Sequence, residues 1–217
     1  MTIHTINRIE NDPRIWRASQ HKQPDARAVT TGFPELDRLL AASGWPRGAL
    51  IECHCPDSGV GEIRLFQKAM EVVSGQQQSI FWVDSPHTPY APALHQFDID
   101  LAHFFQVRTR DDEDRVWALE QLLKCPAAGL VIGWSPSCNP AHLRRLQLAA
   151  EGGDTLGIVV ITSGAVRSNS PAPVRLALSP ARDLQVDIQR QRGGQAGRLV
   201  LTLPPLLPDH GPECEGR

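Results

Sequence analysis

Residues 55–63, Cys-Pro-Asp-Ser-Gly-Val-Gly-Glu-Ile, have the outline of a phosphate-binding loop and the wrong side chains for one. A working loop reads G-x-x-x-x-G-K-[ST], with backbone N–H groups and a helix N-terminus facing the anion. Its lysine adds a full positive charge, and the hydroxyl after it holds Mg²⁺. Here Gly61 is followed by Glu62 and Ile63. Glu62 reverses the sign at the lysine position while suiting the start of a helix. Ile63 offers a metal no oxygen, and Cys55 to Gly61 is one residue longer than the usual loop. The whole run, Cys55, Pro56, Asp57, Ser58, Gly59, Val60, Gly61, Glu62 and Ile63, is therefore a degenerate phosphate loop, and no cofactor is expected in it.

A second strand repeats the message. Gly-Leu-Val-Ile-Gly-Trp (129–134) stands where a nucleotide-hydrolysing domain ends an apolar strand in a metal-binding Asp, and it has Gly133 and Trp134 instead. No other cluster replaces the lost chemistry. On a strand, Cys53 and Cys55 share one face and His54 takes the other, so Cys-His-Cys does not converge on one ion and reads as a buried strand segment. The eight histidines, His87, His95, His103 and His142 among them, show no ligand spacing. Asp111 to Asp114 reads as the acidic first turn of a helix. Lys68 is the nearest lysine that could stand in at the loop, and it lies about one and a half turns along the helix, roughly 10 Å away.

These residues need a scaffold, and the apolar pattern provides one. Strand-length runs at 49–55, 79–84, 103–107, 129–134 and 157–162 alternate with helical patterns. That alternation predicts an α/β fold: a mainly parallel sheet covered by helices. One helix carries Ile63, Phe66, Met70 and Val73, a second spans 113–124, and a third begins at Asn139-Pro140 with a cap residue and proline at the first helical position. Beyond 162 the texture changes to a loop (163–173) and strands at 174–179, 184–191 and 198–203, with Gly193-Gly194 in a hairpin turn. The expected organisation is an N-terminal arm (1–29), a core domain (30–203) with a C-terminal β-hairpin extension, and a disordered tail (204–217).

The 217 residues carry a net charge of −2, so no global basic field points to nucleic acid. Five cysteines, odd in number and irregularly spaced, with no apolar signal segment and no span-length apolar run, make a reducing cytoplasm the expected home. Between Arg167 and Arg198 six arginines face two aspartates. No aromatic residue is present there to stack on bases. Arg175, Arg190 and Arg192 are therefore candidates for a protein-contact surface, with direct but weak DNA contact the alternative. In the polar arm Ile15 and Trp16 stand out, either stapling it to the domain or anchoring a partner.

The motif Thr31-Gly32, Leu36-Asp37, Leu40, Gly44, Pro46, Gly48 and Glu52 resembles the start of RecA-type recombinase cores. In that alignment the recombinase's catalytic Glu falls on Pro86, between Ser85 and His87, so the base that activates water is missing. Within the superfamily, residues 15–19, 31–52, 59–65, 89–94, 117–124 and 143–151 resemble the ImuA family, RecA-like accessory factors of SOS-induced mutagenic translesion synthesis. Gly-Glu in place of Gly-Lys is similar to that family's own pattern. Ala42-Ser43-Gly44 departs from its usual consecutive glycines.

The resemblance implies a RecA-like core without ATPase activity. It also implies protein contacts with a Y-family-like polymerase homologue, an error-prone polymerase and RecA, and a place near the nucleoid during DNA damage. SulA-like inhibitors of the tubulin-like division protein share the core, but are usually shorter and lack the arm. No membrane partner and no metal is implied.

Overall fold

A computed structural model describes residues 26–55, 59–136, 139–163, 170–180 and 183–203. In chain order the elements are α1 (Pro34–Leu39), β1 (Ala49–His54), α2 (Glu62–Gly75), β2 (Ser79–Val83), α3 (Ala91–Gln96), a 3₁₀ turn (Leu101–His103), β3 (Phe104–Val107), α4 (Asp112–Lys124), β4 (Ala128–Ser135), α5 (Pro140–Gly153), β5 (Leu156–Ile161), β6 (Val174–Pro180), β7 (Leu184–Gln191) and β8 (Gly197–Leu201). The strands form one sheet in the order β3-β2-β4-β5-β1-β6-β7-β8. The first six run parallel, and β7 and β8 add antiparallel. The α/β class, the mainly parallel sheet and the antiparallel C-terminal extension are all borne out.

The order follows from the sequence. β4 and β5 are largely apolar runs and β1 is apolar but for Glu52 and His54; all three are buried at every position, as strands covered on both faces are. β7 and β8 alternate instead: Leu184, Val186, Ile188 and Leu201 point inward, while Gln185, Asp187, Arg198 and Val200 are partly or fully exposed. Arg198 donates to Asp187 across that outer face at 2.9 Å. Among the described residues no helix is long and apolar enough to cross a membrane.

Two cores sit on the two faces. On one, α2 buries Leu65, Phe66, Met70 and Val73 against Cys53, Ile158 and Leu176; Ile63 packs only partly against this cluster. On the other, α4 and α5 bury Leu119, Leu123, Leu143 and Leu146 against Leu50, Val131 and Val159. The caps are those expected: Asn139 accepts from His142 N at 2.8 Å, with Pro140 in the first turn, and Asp111 accepts from Asp114 N at 2.9 Å.

Two helices escaped the sequence pattern. α1 and α3 have six residues each, with one buried side chain apiece, Leu36 and Leu94, too short for a 3.6-residue period to show. Val29, the last residue of the expected arm, is nearly fully buried and exchanges backbone hydrogen bonds with Trp45 (2.9 and 2.7 Å). Trp45 is itself completely buried, its ring 5.1 Å from that of Phe66. Ile15, Trp16 and the tail lie outside the described residues.

Trp45 thus fastens the start of the domain to α2. Trp45→Ala is expected to lower stability by ~3–5 kcal/mol, the range for emptying a large aromatic site, measured as the shift in a urea unfolding curve at unchanged slope.

Candidate functional site

The degenerate loop leaves the C-terminal end of β1, which lies between β5 and β6 in the parallel part of the sheet, and opens α2. Gly59 (φ +83°) and Gly61 (φ +119°) hold left-handed backbone, which only glycine adopts without strain. Pro56, Asp57 and Ser58 lie outside the described residues. Glu62, first residue of α2, is buried. Its side chain turns back onto the loop: Oε2 accepts from Gly61 N at 3.2 Å and Oε1 from Gly59 N at 3.4 Å. Cys55 Sγ stands 3.9 Å from Oε2. These are N–H groups of the kind that a working loop turns to a phosphate, and here the chain's own carboxylate takes them. Glu62 was expected to suit the helix start and repel phosphate; the geometry adds that it sits where an anion would.

Apolar side chains close over the same glycine. A β-carbon on Gly61 would lie 2.7 Å from Leu203 Cδ1 and 3.7 Å from Leu184 Cδ1. Beneath the loop, burial pushes the Cys53 thiol well above its ordinary value, and the neighbouring Cys55 and Glu62 add to the rise. Cys53 is therefore an inert core thiol. Lys68 forms an ion pair with Glu71, and its stem lies against Gly32.

Of the other positions where an expected metal Asp or catalytic Glu is absent, Gly133 and Trp134 are packing positions and Pro86 is exposed. Gly133 is buried, and a β-carbon there would meet Leu119 Cδ2 at 2.6 Å, so the glycine admits α4 to the sheet. Trp134 packs edge-on against Trp82, centroids 5.3 Å apart. Pro86 is exposed on a turn where Ser85 donates to His87 O (2.7 Å) and accepts from Gln106 (2.9 Å).

The carboxylate at the end of β2 is Asp84, which sequence reasoning passed over. Its backbone is left-handed (φ +53°). It accepts from Thr109 N and Arg115 Nε at 2.8 Å each, and from the Thr109 hydroxyl. Burial would raise its pKa, but the Thr109 bonds and the Arg115 guanidinium outweigh that and lower it. Asp84 is thus a clamp between β2 and α4. The signal for it in the sequence was slight, an acidic residue at a strand end.

Glu52 on β1 is a second buried carboxylate, 2.6 Å from His54 Nε2. Its cross-strand partner on β6 is Arg175. Burial opposes ionisation, yet His54, Ser170 and Arg175 together bring the Glu52 pKa below the usual carboxylate value. This corrects one expectation. Arg175, a candidate for the contact surface, is buried beside Glu52, because its strand neighbour supplies a carboxylate for it. Arg190 and Arg192 are exposed, at the far end of the sheet from the loop. Among the described residues no group of three His, Cys, Asp or Glu is placed to hold a metal.

Two proteins named ImuA, from two strains of Caulobacter vibrioides, are 26% identical to this chain over 212 residues, covering 85% of it and 86% of their own length. The chain is similar to ImuA over most of its length. The resemblance read from the motifs is borne out by that coverage. The cell division inhibitor SulA of Edwardsiella piscicida is 27% identical over 79 residues, 36% of this chain and 47% of the inhibitor. No family model matches the chain.

Two outcomes follow from the two carboxylates at the strand ends. Glu62→Ala leaves the Gly59 and Gly61 N–H groups without their acceptor and is expected to cost ~1–3 kcal/mol; Glu62→Gln, which keeps an acceptor oxygen, costs less, as read from paired urea titrations. For Asp84 the sign comes from linkage. A carboxyl with a depressed folded pKa stabilises the fold above its unfolded value and loses that contribution as pH falls through the folded one. Stability is therefore expected to fall below about pH 4, and Asp84→Asn, weaker at neutral pH, shows a shallower acid loss in unfolding curves recorded across that range.

Proposed function

We propose that this chain is a non-catalytic, RecA-like accessory protein of SOS-induced mutagenic translesion DNA synthesis. It works in the cytoplasm near the damaged nucleoid. It acts through protein contacts with a Y-family-like polymerase homologue, an error-prone polymerase and the RecA recombinase. The observation that carries the reading is the Glu62 carboxylate seated on the loop N–H groups. ATP would have to displace a tethered anion, overcome its charge and find no lysine or hydroxyl in return. The likeness to ImuA across most of both chains supports the process in which the fold is used. A domain that keeps its packing motifs and loses its reactive groups retains surfaces, and surfaces suit an adaptor.

The partial likeness to SulA supports a second reading, inhibition of the tubulin-like division protein. Its coverage, about a third of this chain, ranks it below the first.

The test is twofold. The purified chain is expected to give no saturable binding of a fluorescent ATP analogue with Mg²⁺, and Glu62→Lys alone is not expected to create it, since Ile63 and Leu203 remain. Co-elution with the polymerase homologue, the error-prone polymerase or the recombinase is expected on size exclusion. Turnover of ATP by the wild type would overturn the non-catalytic reading. Co-elution with the division protein instead would establish the second one.

A further inference from the structure

The end of the sheet opposite the phosphate loop is open. Two adjoining hollows lie there, at the N-terminal ends of β1 and β6, sharing Gln147, Glu151, Pro173, Gln191 and Arg192 in their walls. The first, about 220 Å³, is walled chiefly by Leu40, Ala41, Ala42, Pro46 and Val174. The second, about 410 Å³, is rimmed by Arg144, Arg190 and Arg192 and bordered by Leu148, which is 56% exposed. Arg47 reaches the first hollow, so among the described residues four arginines border the groove against the single carboxylate of Glu151.

The groove is built rather than incidental. Buried Gln191 accepts from Ala41 N (2.7 Å) and donates to Leu39 O (3.0 Å) and Gln195 O (2.6 Å), tying the end of β7 to α1. Buried Gln147 accepts from Leu50 N (2.8 Å) and donates to Glu151 (2.9 Å), fixing α5 on β1 and engaging the groove's one carboxylate. Arg192 N donates to Pro173 O at 2.8 Å. Arg190 donates to Ser170 O at 2.8 Å. Arg144 and Arg192 are exposed and have no ion-pair partner among the described residues. Walls held this way need little ordering when a ligand arrives.

We infer that this groove docks an acidic segment of a partner protein, one aliphatic side chain entering the apolar hollow and carboxylates meeting Arg144, Arg190 and Arg192. The proposal rests on the adaptor reading and gives it a surface and a partner chemistry. Arginine forks match carboxylates in pairs, and an apolar hollow beside a polar rim is the anatomy of a protein contact. Single-stranded nucleic acid fits less well, because among the described residues no aromatic ring lines either hollow for base stacking.

The test uses the full chain and a short fluorescein-labelled peptide with one leucine flanked by aspartates and glutamates. Anisotropy is expected to show saturable, salt-sensitive binding, weakened at least about tenfold by Arg144→Glu with Arg192→Glu, and similarly by Leu148→Asp. These three side chains are exposed, so the variants fold, as circular dichroism checks. No binding by the wild type, equal binding by the variants, or retention of an oligothymidylate in place of the peptide would overturn the proposal. Capture of the polymerase homologue by the same proteins separates the two claims. Capture by wild type and lost in the double variant supports the groove. Undiminished capture by the variant overturns the groove and leaves the adaptor standing. No capture even by wild type counts against the adaptor reading, while the peptide titration still decides the groove.

Discussion

A carboxylate held by the backbone of its own loop sets the character of this molecule. A helix N-terminus after two left-handed glycines presents unpaired N–H groups and the positive end of a dipole. That arrangement has to be neutralised by something. In a nucleotide-binding domain the ligand does it, and the loop depends on the ligand's presence. Here Glu62 does it intramolecularly at 3.2 and 3.4 Å, at no cost in translational freedom. With the loop end self-sufficient, Leu184 and Leu203 can close over Gly61 and the antiparallel extension can pack against the body of the sheet.

The same replacement recurs at other strand ends. Gly133 admits Leu119, and Trp134 fills space against Trp82. Asp84, a carboxylate well placed for chemistry, is spent on Thr109 and Arg115. Glu52 is spent on His54 and its neighbour Arg175. Each buried acid has a dedicated donor, which is what lets it stay ionised away from water. None of the four positions offers a free nucleophile or base. Together they pack and pair this part of the sheet.

Much of this was legible in the sequence, and the exceptions share a cause. Continuous apolar runs placed β1, β4 and β5 within a residue of their bounds, and Asn139-Pro140 marked the start of α5. The Gly61-Glu62-Ile63 run carried the expectation of a degenerate phosphate loop. What the sequence could not reveal was that the Glu62 side chain folds back, since a residue at the first helical turn is free to point to solvent. Arg175 shows the same limit. Only the register of β6 on β1 reveals the carboxylate waiting opposite, which turns an expected surface cation into a buried one. One-dimensional pattern reports orientation, and pairing across strands decides solvation. Six-residue helices fall below the reach of any period, so α1 and α3 went unseen.

In open α/β sheets ligands bind outside the carboxyl ends of the strands, where loops diverge and helix N-termini converge. This chain has filled the central position at that end with a carboxylate and two leucines, and it has left its arginine-rimmed hollows at the amino ends. The two facts are coupled through β7. Its first residue, Leu184, stands over Gly61, and its last, Gln191, builds the wall of the groove. The strand that packs over Gly61 therefore also shapes the groove at the opposite end. At the loop end, the Glu62 contacts and the leucines over Gly61 tie the described residues together. A groove whose walls are tied by Gln191 and Gln147 surrenders less entropy when it is filled.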